Sequence, residues 1–309
     1  MGFRTLAALS IIGASLIAGS ASAEVIRGSD GNAVDMVPTG KGWGVVPTAK
    51  QVKKFARRGG GGSNGINYHG GPVMNSGTTN VYYIWYGDWS NNTATTILTN
   101  FASSVGGSPY FNINTSYYDA SNVHIPNSVA LAASTYDNYS YGSALSDANI
   151  QSIVSDAINS GSLPKDTNAV YFVLTSTDVT ETSGFCTKYC GWHTHGTIAG
   201  VDIKYSFVGN AEQCLSGCAA QATSPNGNPG ADGMASVIAH ELEEAATDPD
   251  LNAWYDNRGA ENGDKCAWTF GTTYTTGNGS LANMNLGGSD YLIQQNWVNA
   301  NGGYCALSY

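Results

Sequence analysis

The chain has 309 residues, of which 42% are hydrophobic and 11% aromatic but only 12% charged, a balance that excludes a disordered acidic chain and a coiled coil. Thirteen basic residues against twenty-three acidic ones give a net charge of −10, which argues against a nucleic-acid backbone as partner. The imbalance is steepest after Gly65, where five basic residues face twenty acidic ones, so bound cations or wide dispersal must relieve the repulsion.

Met1 to Ala23 reads as a secretory signal peptide. Arg4 supplies the positive start, Leu6 to Ala18 is mostly apolar, and Ala21-Ser22-Ala23 is a small-x-small cleavage site. The apolar run is too short for a comfortable membrane span, and no later segment replaces it. Residues 24–64 read as a propeptide or a flexible Gly-rich linker. They contain the basic run Lys53-Lys54-Phe55-Ala56-Arg57-Arg58, and Gly59 to Gly62 follow. Residues 65–309 form the folded domain.

Within it, Val81-Tyr82-Tyr83-Ile84-Trp85-Tyr86 is β-branched and aromatic throughout and predicts a buried strand. Ser90 to Val105 predicts a helix, Tyr110 to Ala133 irregular strands, and Asp147 to Ser160 a helix with Ile150, Ile153, Val154, Ala157 and Ile158 on one face. Ala169 to Leu174 and Ile203 to Val208 predict two further strands. Between them, Thr175 to Gly200 reads as a Cys- and His-bearing excursion, and Ala219 to Gly233 as a loop. Met234 to Thr247 is the clearest helix, stopped by Pro249, and it is read as following an edge strand. After Asp250 the chain is loop-rich. In an exported chain the six cysteines read as disulfides, and local pairing gives Cys186–Cys190, Cys214–Cys218 and Cys266–Cys305.

The clearest helix carries Ala239-His240-Glu241-Leu242-Glu243-Glu244. At about 100° per residue, His240 and Glu244 stand one turn apart on one face and can converge on a single ion. Glu241 then has the place of the general base in the H-E-x-x-H arrangement of metallohydrolases, with Glu244 where a second His would stand. A carboxylate ligand favours harder ions and so weakens the zinc reading. Carboxylates do serve in catalytic zinc sites, however, which leaves zinc as the candidate cofactor and calcium as the alternative. A third ligand must come from Asp248, Asp256, Glu261 or Asp264, and Asp264 is favoured. The fold class is therefore α/β (α+β): a single zincin-like domain with a mixed sheet covered by helices and a loop-rich, disulfide-bonded C-terminal part.

Other features weigh less. His193 and His195 read as surface groups beside a disulfide, and Met284 as core packing before a Met-turn. Sequons stand at Asn91, Asn114, Asn138 and Asn278. There is no G-x-S-x-G elbow, P-loop or dinucleotide fingerprint.

Asn67-Tyr68-His69-Gly70-Gly71-Pro72-Val73, Val81 to Gly87, Gly184-Phe185-Cys186-Thr187-Lys188-Tyr189-Cys190-Gly191-Trp192-His193, Val208 to Cys214 and Cys218-Ala219 together resemble the phosphate-induced protein (EXORDIUM-like) family, over about Asn67 to Cys305. For plant members that resemblance implies secreted, cell-wall or apoplastic proteins linked to growth, without an established enzymatic activity. The His240–Glu244 helix marks the chain as similar to a microbial-type branch with a zincin-like helix. The expected function is a secreted zincin-like metallopeptidase acting on an extracellular peptide or polysaccharide. The alternative is a non-catalytic wall-associated, carbohydrate-binding or signalling protein with a structural metal. No nucleic-acid or membrane partner is expected, and the chain is expected to be a monomer.

Overall fold

The computed structural model describes residues 65–309 throughout and, ahead of them, strands Glu24–Arg27 and Ala33–Val37 and the stretch 45–51. The expected signal peptide and the basic and glycine run at 53–62 lie outside the described residues.

A six-stranded mixed sheet organises the chain. Its strands, numbered in chain order, are β1 (Val45–Pro47), β2 (Thr79–Tyr86), β3 (Val129–Asp137), β4 (Ala169–Thr175), β5 (Tyr189–Ile198) and β6 (Val201–Val208), in the spatial order β1-β5-β6-β4-β2-β3. The run β6-β4-β2-β3 is parallel, whereas β5 is antiparallel to both of its neighbours. Helix α1 (Ala94–Val105) joins β2 to β3 and helix α2 (Asp147–Asn159) joins β3 to β4. Because β3 and β4 flank β2 on opposite sides, right-handed crossovers put α1 and α2 on opposite faces. Helix α3 (Pro229–Thr247) packs beside α1 and against β5 and β6. With both faces covered, β4 is buried at every position, and so is β2 except at Asn80, which is why those segments read as unbroken apolar runs.

Four expectations are corrected. The segment after Thr175 is no mere excursion: it contains β5, ten residues long, which turns into β6 through Ala199 and Gly200, both at positive φ as a two-residue hairpin turn requires. β6 is consequently internal and not an edge strand. Tyr110 to Ala133 supplies a 3₁₀ turn (Phe111–Ser116) and the start of β3, because the aromatic and apolar side chains of that turn fill the core. Helix α3 begins five residues earlier than its apolar periodicity, at Pro229, where proline's missing N–H costs nothing and the Asn228 side chain accepts from the Ala231 N–H.

The disulfides join Cys186 to Cys214 and Cys190 to Cys218, not the local pairs, while Cys266–Cys305 is as expected. The two C-x-x-x-C segments lie side by side, so each cysteine meets its counterpart across the gap. Together these bridges bind the start of β5 to the chain that leads into α3.

The chain after Asp250 forms short two-stranded ladders; Trp254, Cys266 and Trp297 join Ile66 and Tyr117 in a second small core, while Leu286 and Tyr291 pack on the main one. Ahead of the domain, β1 pairs with β5; the Trp268 indole donates to the Pro47 carbonyl at 2.7 Å, and Val46 and Thr48 are buried. Met284 pairs with Tyr291 in a ladder against α1, and Asn114 is fully buried, which sets it apart from the exposed sequon at Asn91. Among the described residues no helix is long and apolar enough to cross a membrane.

Closing the loop between Cys190 and Cys218 should stabilise the fold by up to about 3.6 kcal/mol on chain-entropy grounds, for a sequence separation of 28. Chemical denaturation of the Cys190→Ala/Cys218→Ala double variant should show a smaller loss, because Cys186–Cys214 still tethers the same two segments. A loss at or above the full value would mean that the two bridges act independently.

Candidate metal centre

Helix α3 is buried at every position but Pro229 and Ser236, although its last turns read His-Glu-Leu-Glu-Glu. Two close approaches explain how these polar groups are enclosed. On β5, a Cβ at Gly191 would stand 2.6 Å from a Val237 methyl and 3.4 Å from Glu241 Oε1, so only glycine lets helix and strand meet there. On the following loop, a Cβ at Gly263 would meet the His240 ring at 2.8 Å. The Asn262 amide holds that loop to the helix by donating to the Glu243 carbonyl at 3.1 Å, and Cys266–Cys305 anchors its end.

His240 and Glu244 do converge, with Nε2 and Oε1 2.7 Å apart. The Gln294 amide nitrogen donates to His240 Nδ1 at 2.8 Å and to the Gly263 carbonyl at 2.9 Å, fixing the ring's plane with Nδ1 as the acceptor. Asp264 Oδ1 stands 3.7 Å from His240 Nε2, and the Asp264 backbone N–H donates to Glu244 Oε1 at 3.1 Å. The favoured set His240, Glu244 and Asp264 is therefore brought together, its ligand atoms all within 4.8 Å of one another.

The other acidic candidates separate by what already engages them. Asp256 is spent on its own loop, accepting from the N–H groups of Arg258 and Ala260 and from Lys265 Nζ. Asp248 caps the chain after α3, accepting from the N–H groups of Asn252 and Ala253. Glu261 is different: it is fully buried, and neither carboxylate oxygen has a hydrogen-bond partner.

His193 corrects the sequence reading. It is fully buried, not a surface group, with Nδ1 3.2 Å from Glu241 Oε2 and 3.5 Å from Glu244 Oε2, and Nε2 3.7 Å from Glu261 Oε1. The available signal was the unbroken apolar run Tyr189-Cys190-Gly191-Trp192 just before it, which marks a strand covered on both faces. His195, two residues on, is part-exposed and pairs with Asp202 and Asp250. Lys204 bonds both of those carboxylates, so that group is an ordinary salt-bridge network.

Electrostatics separate the buried acids. Burial raises Glu241 and Asp264 to about 7, with the Glu244 charge adding to each. Burial and the neighbouring Glu244 also hold Glu261 well above the usual carboxylate range. Burial would raise Glu244 too, but the His240 charge and the bonds to both histidines outweigh it and draw it down to about 2. Burial lowers His193, yet its bonds with Glu241 and Glu244 outweigh that and lift it to about 10. Glu243 points elsewhere, accepting from the Asn296 amide at 2.8 Å, and burial raises it well above the usual carboxylate range.

A model of the phosphate-induced protein 1 conserved region matches residues 66–297. Protein EXORDIUM-like 5 of Arabidopsis thaliana is 33% identical over 273 residues, covering 75% of this chain and 75% of that protein. Protein EXORDIUM-like 3 of the same plant is 34% identical over 271 residues, covering 75% and 80%. Protein PHOSPHATE-INDUCED 1 of Nicotiana tabacum is 28% identical over 221 residues, covering 62% and 67%. These relatives are plant proteins and lend no support to a separate microbial-type branch. No solved structure matches the chain.

The shifts set a pH dependence for the chelated, metal-free protein. Glu241 and Asp264 titrate higher folded than unfolded, so the folded state holds more protons between about pH 4 and 7 and loses stability as pH rises through that window. His193, also raised, contributes fully below about 6.5 and loses that contribution progressively as pH rises from there through about 10. Thermal unfolding in chelator should therefore show Tm falling from pH 5 to pH 8. A flat or rising Tm would contradict these assignments.

Proposed function

The chain belongs to the phosphate-induced protein 1 family, and we propose that it is an extracellular metal-binding protein whose His240, Glu244 and Asp264 hold a divalent cation between α3 and the loop after it. One observation carries this reading: ligand atoms of His240, Glu244 and Asp264 lie within 4.8 Å of one another, with His240 and Glu244 fully buried and Glu244 Oε2 without a hydrogen-bond partner. An unpaired buried charge costs several kcal/mol, and a cation removes that cost. The mixed imidazole and carboxylate donors suit zinc or a similar first-row ion better than calcium, which prefers all-oxygen ligands. Bound there, the ion would supply an electrostatic cross-link between the helix and the 256–266 loop. The three disulfides suit an oxidising, extracellular setting.

The helix motif by itself suggests a peptidase with Glu241 as general base. Catalytic ion sites keep an open coordination position, whereas structural ones are enclosed. His193, His240, Glu241, Glu244 and Glu261 all have 0% exposure, and Glu241 Oε2 lies against His193. That burial favours the non-catalytic alternative over hydrolysis of a peptide or polysaccharide.

Elemental analysis of the purified protein should find zinc or a similar first-row ion. At a hundredfold excess of ion over Kd, binding should add about 2.7 kcal/mol, which is roughly 5–10 °C of Tm over the chelated form. Glu244→Ala should abolish both the bound ion and that difference. Absence of any bound ion would overturn the metal centre. Peptide or polysaccharide hydrolysis that disappears in Glu241→Gln would overturn the enclosed, non-catalytic reading.

A further inference from the structure

We infer that the cluster is built for two cations bridged by Glu244, the second held by His193, Glu244 and Glu261. This rests on the reading of a metal centre at His240, Glu244 and Asp264 and extends it to an adjoining site.

The two oxygens of Glu244 face different imidazoles. Oε1 lies 2.7 Å from His240 Nε2, whereas Oε2 lies 3.5 Å from His193 Nδ1. Oε1 is thus engaged at His240, whereas Oε2 has no hydrogen-bond partner, and Glu244 offers a ligand atom within 4.8 Å of those of His193 and Glu261, which leaves its second oxygen available to a second ion. Each histidine also has its own further carboxylate: Asp264 Oδ1 stands 3.7 Å from His240 Nε2, and Glu261 Oε1 stands 3.7 Å from His193 Nε2. These separations exceed hydrogen-bonding distance. They lie close to the roughly 3.3 Å that separates donors sharing one ion at bond lengths of about 2.0–2.1 Å.

Glu261 is the independent pointer to a ligand. It is completely buried, and both of its oxygens lack a hydrogen-bond partner, as does the facing nitrogen, His193 Nε2. A buried carboxylate and an imidazole nitrogen that stop just short of each other mark a place where something must stand between them. The other ring nitrogen already has an orienting partner: Nδ1 lies 3.2 Å from Glu241 Oε2, to which it can donate. That is the arrangement of a metal-ligating histidine held by an outer carboxylate. Glu241 is then a positioning residue for His193.

Charge leads to the same number. In the ion-loaded state, with both histidines neutral and all four carboxyl groups deprotonated, Glu241, Glu244, Glu261 and Asp264 would carry four negative charges in the interior. One divalent ion leaves two of these unbalanced, and two divalent ions neutralise the set. Nearby lysines have other carboxylates: Lys265 bonds Asp256, and Lys204 bonds Asp250. Paired ions held about 3.5–4 Å apart are a recurrent arrangement, and a bridging carboxylate suits that spacing.

The test is metal stoichiometry on the full chain, stripped with chelator, reloaded with zinc alone and freed of excess. The wild type should hold two zinc ions per chain, Glu261→Gln and Asp264→Asn one each, and Glu244→Ala none. Manganese-loaded wild type should give an electron paramagnetic resonance spectrum of two coupled ions, a readout that needs no variant to fold. One zinc per chain in the wild type, or the spectrum of an isolated manganese ion, would overturn the second site and leave the His240–Glu244–Asp264 centre standing. No bound zinc at all would overturn both.

Discussion

The structure turns on a conflict between burial and charge. Helix α3 must be apolar all round to fill the space between the sheet, α1 and the C-terminal ladders, yet its last turns carry His240, Glu241, Glu243 and Glu244 with no exposure to solvent. Ionised carboxylates in such a place need partners, and the surroundings provide them only in part. Asn296 satisfies one oxygen of Glu243, and the Asp264 backbone N–H satisfies one of Glu244, but both oxygens of Glu261 and one each of Glu241, Glu243 and Glu244 are left over. The carboxylates of Glu241, Glu244 and Glu261 gather around two imidazoles, and that coincidence gives the molecule its chemistry.

Much of the scaffold serves to keep this arrangement closed. Gly191 lets β5 approach α3 until His193 reaches Glu241, and Gly263 lets the following loop lie on the His240 ring. The paired bridges Cys186–Cys214 and Cys190–Cys218 hold the start of β5 to the segment entering α3, while Cys266–Cys305 ends the loop that presents Glu261 and Asp264. Strand, helix and loop each supply part of the donor set, so an ion would tie together elements distant in sequence. Family membership supplies no mechanism of its own; the enclosed site supplies the physical argument.

The buried parallel strands and the helix pair at His240 and Glu244 were legible because continuous β-branched runs and a four-residue spacing have few structural meanings. Asp264 was legible for a weaker reason, its place in an acidic loop beside a cysteine. His193 was not. Its strand reads Gly191-Trp192-His193-Thr194-His195, without the alternation of a half-exposed strand, because Gly191 is needed for helix contact and both faces are covered. The disulfide pairing was likewise out of reach, since local spacing cannot report that two C-x-x-x-C segments run side by side. Glu261 and Asp256 look alike in sequence; only the lysine and backbone N–H groups around Asp256 show that one carboxylate is occupied and the other is not.

The central claim, that buried carboxylates and imidazoles enclose a cation, is tested most directly by crystallography of the zinc-loaded protein with data collected on both sides of the zinc absorption edge. The account predicts an anomalous peak among His240 Nε2, a Glu244 oxygen and an Asp264 oxygen, at about 2.0–2.2 Å from each donor. An ordered site without such a peak, in which Glu244 and Asp264 are hydrogen-bonded directly to protonated histidines, would contradict it.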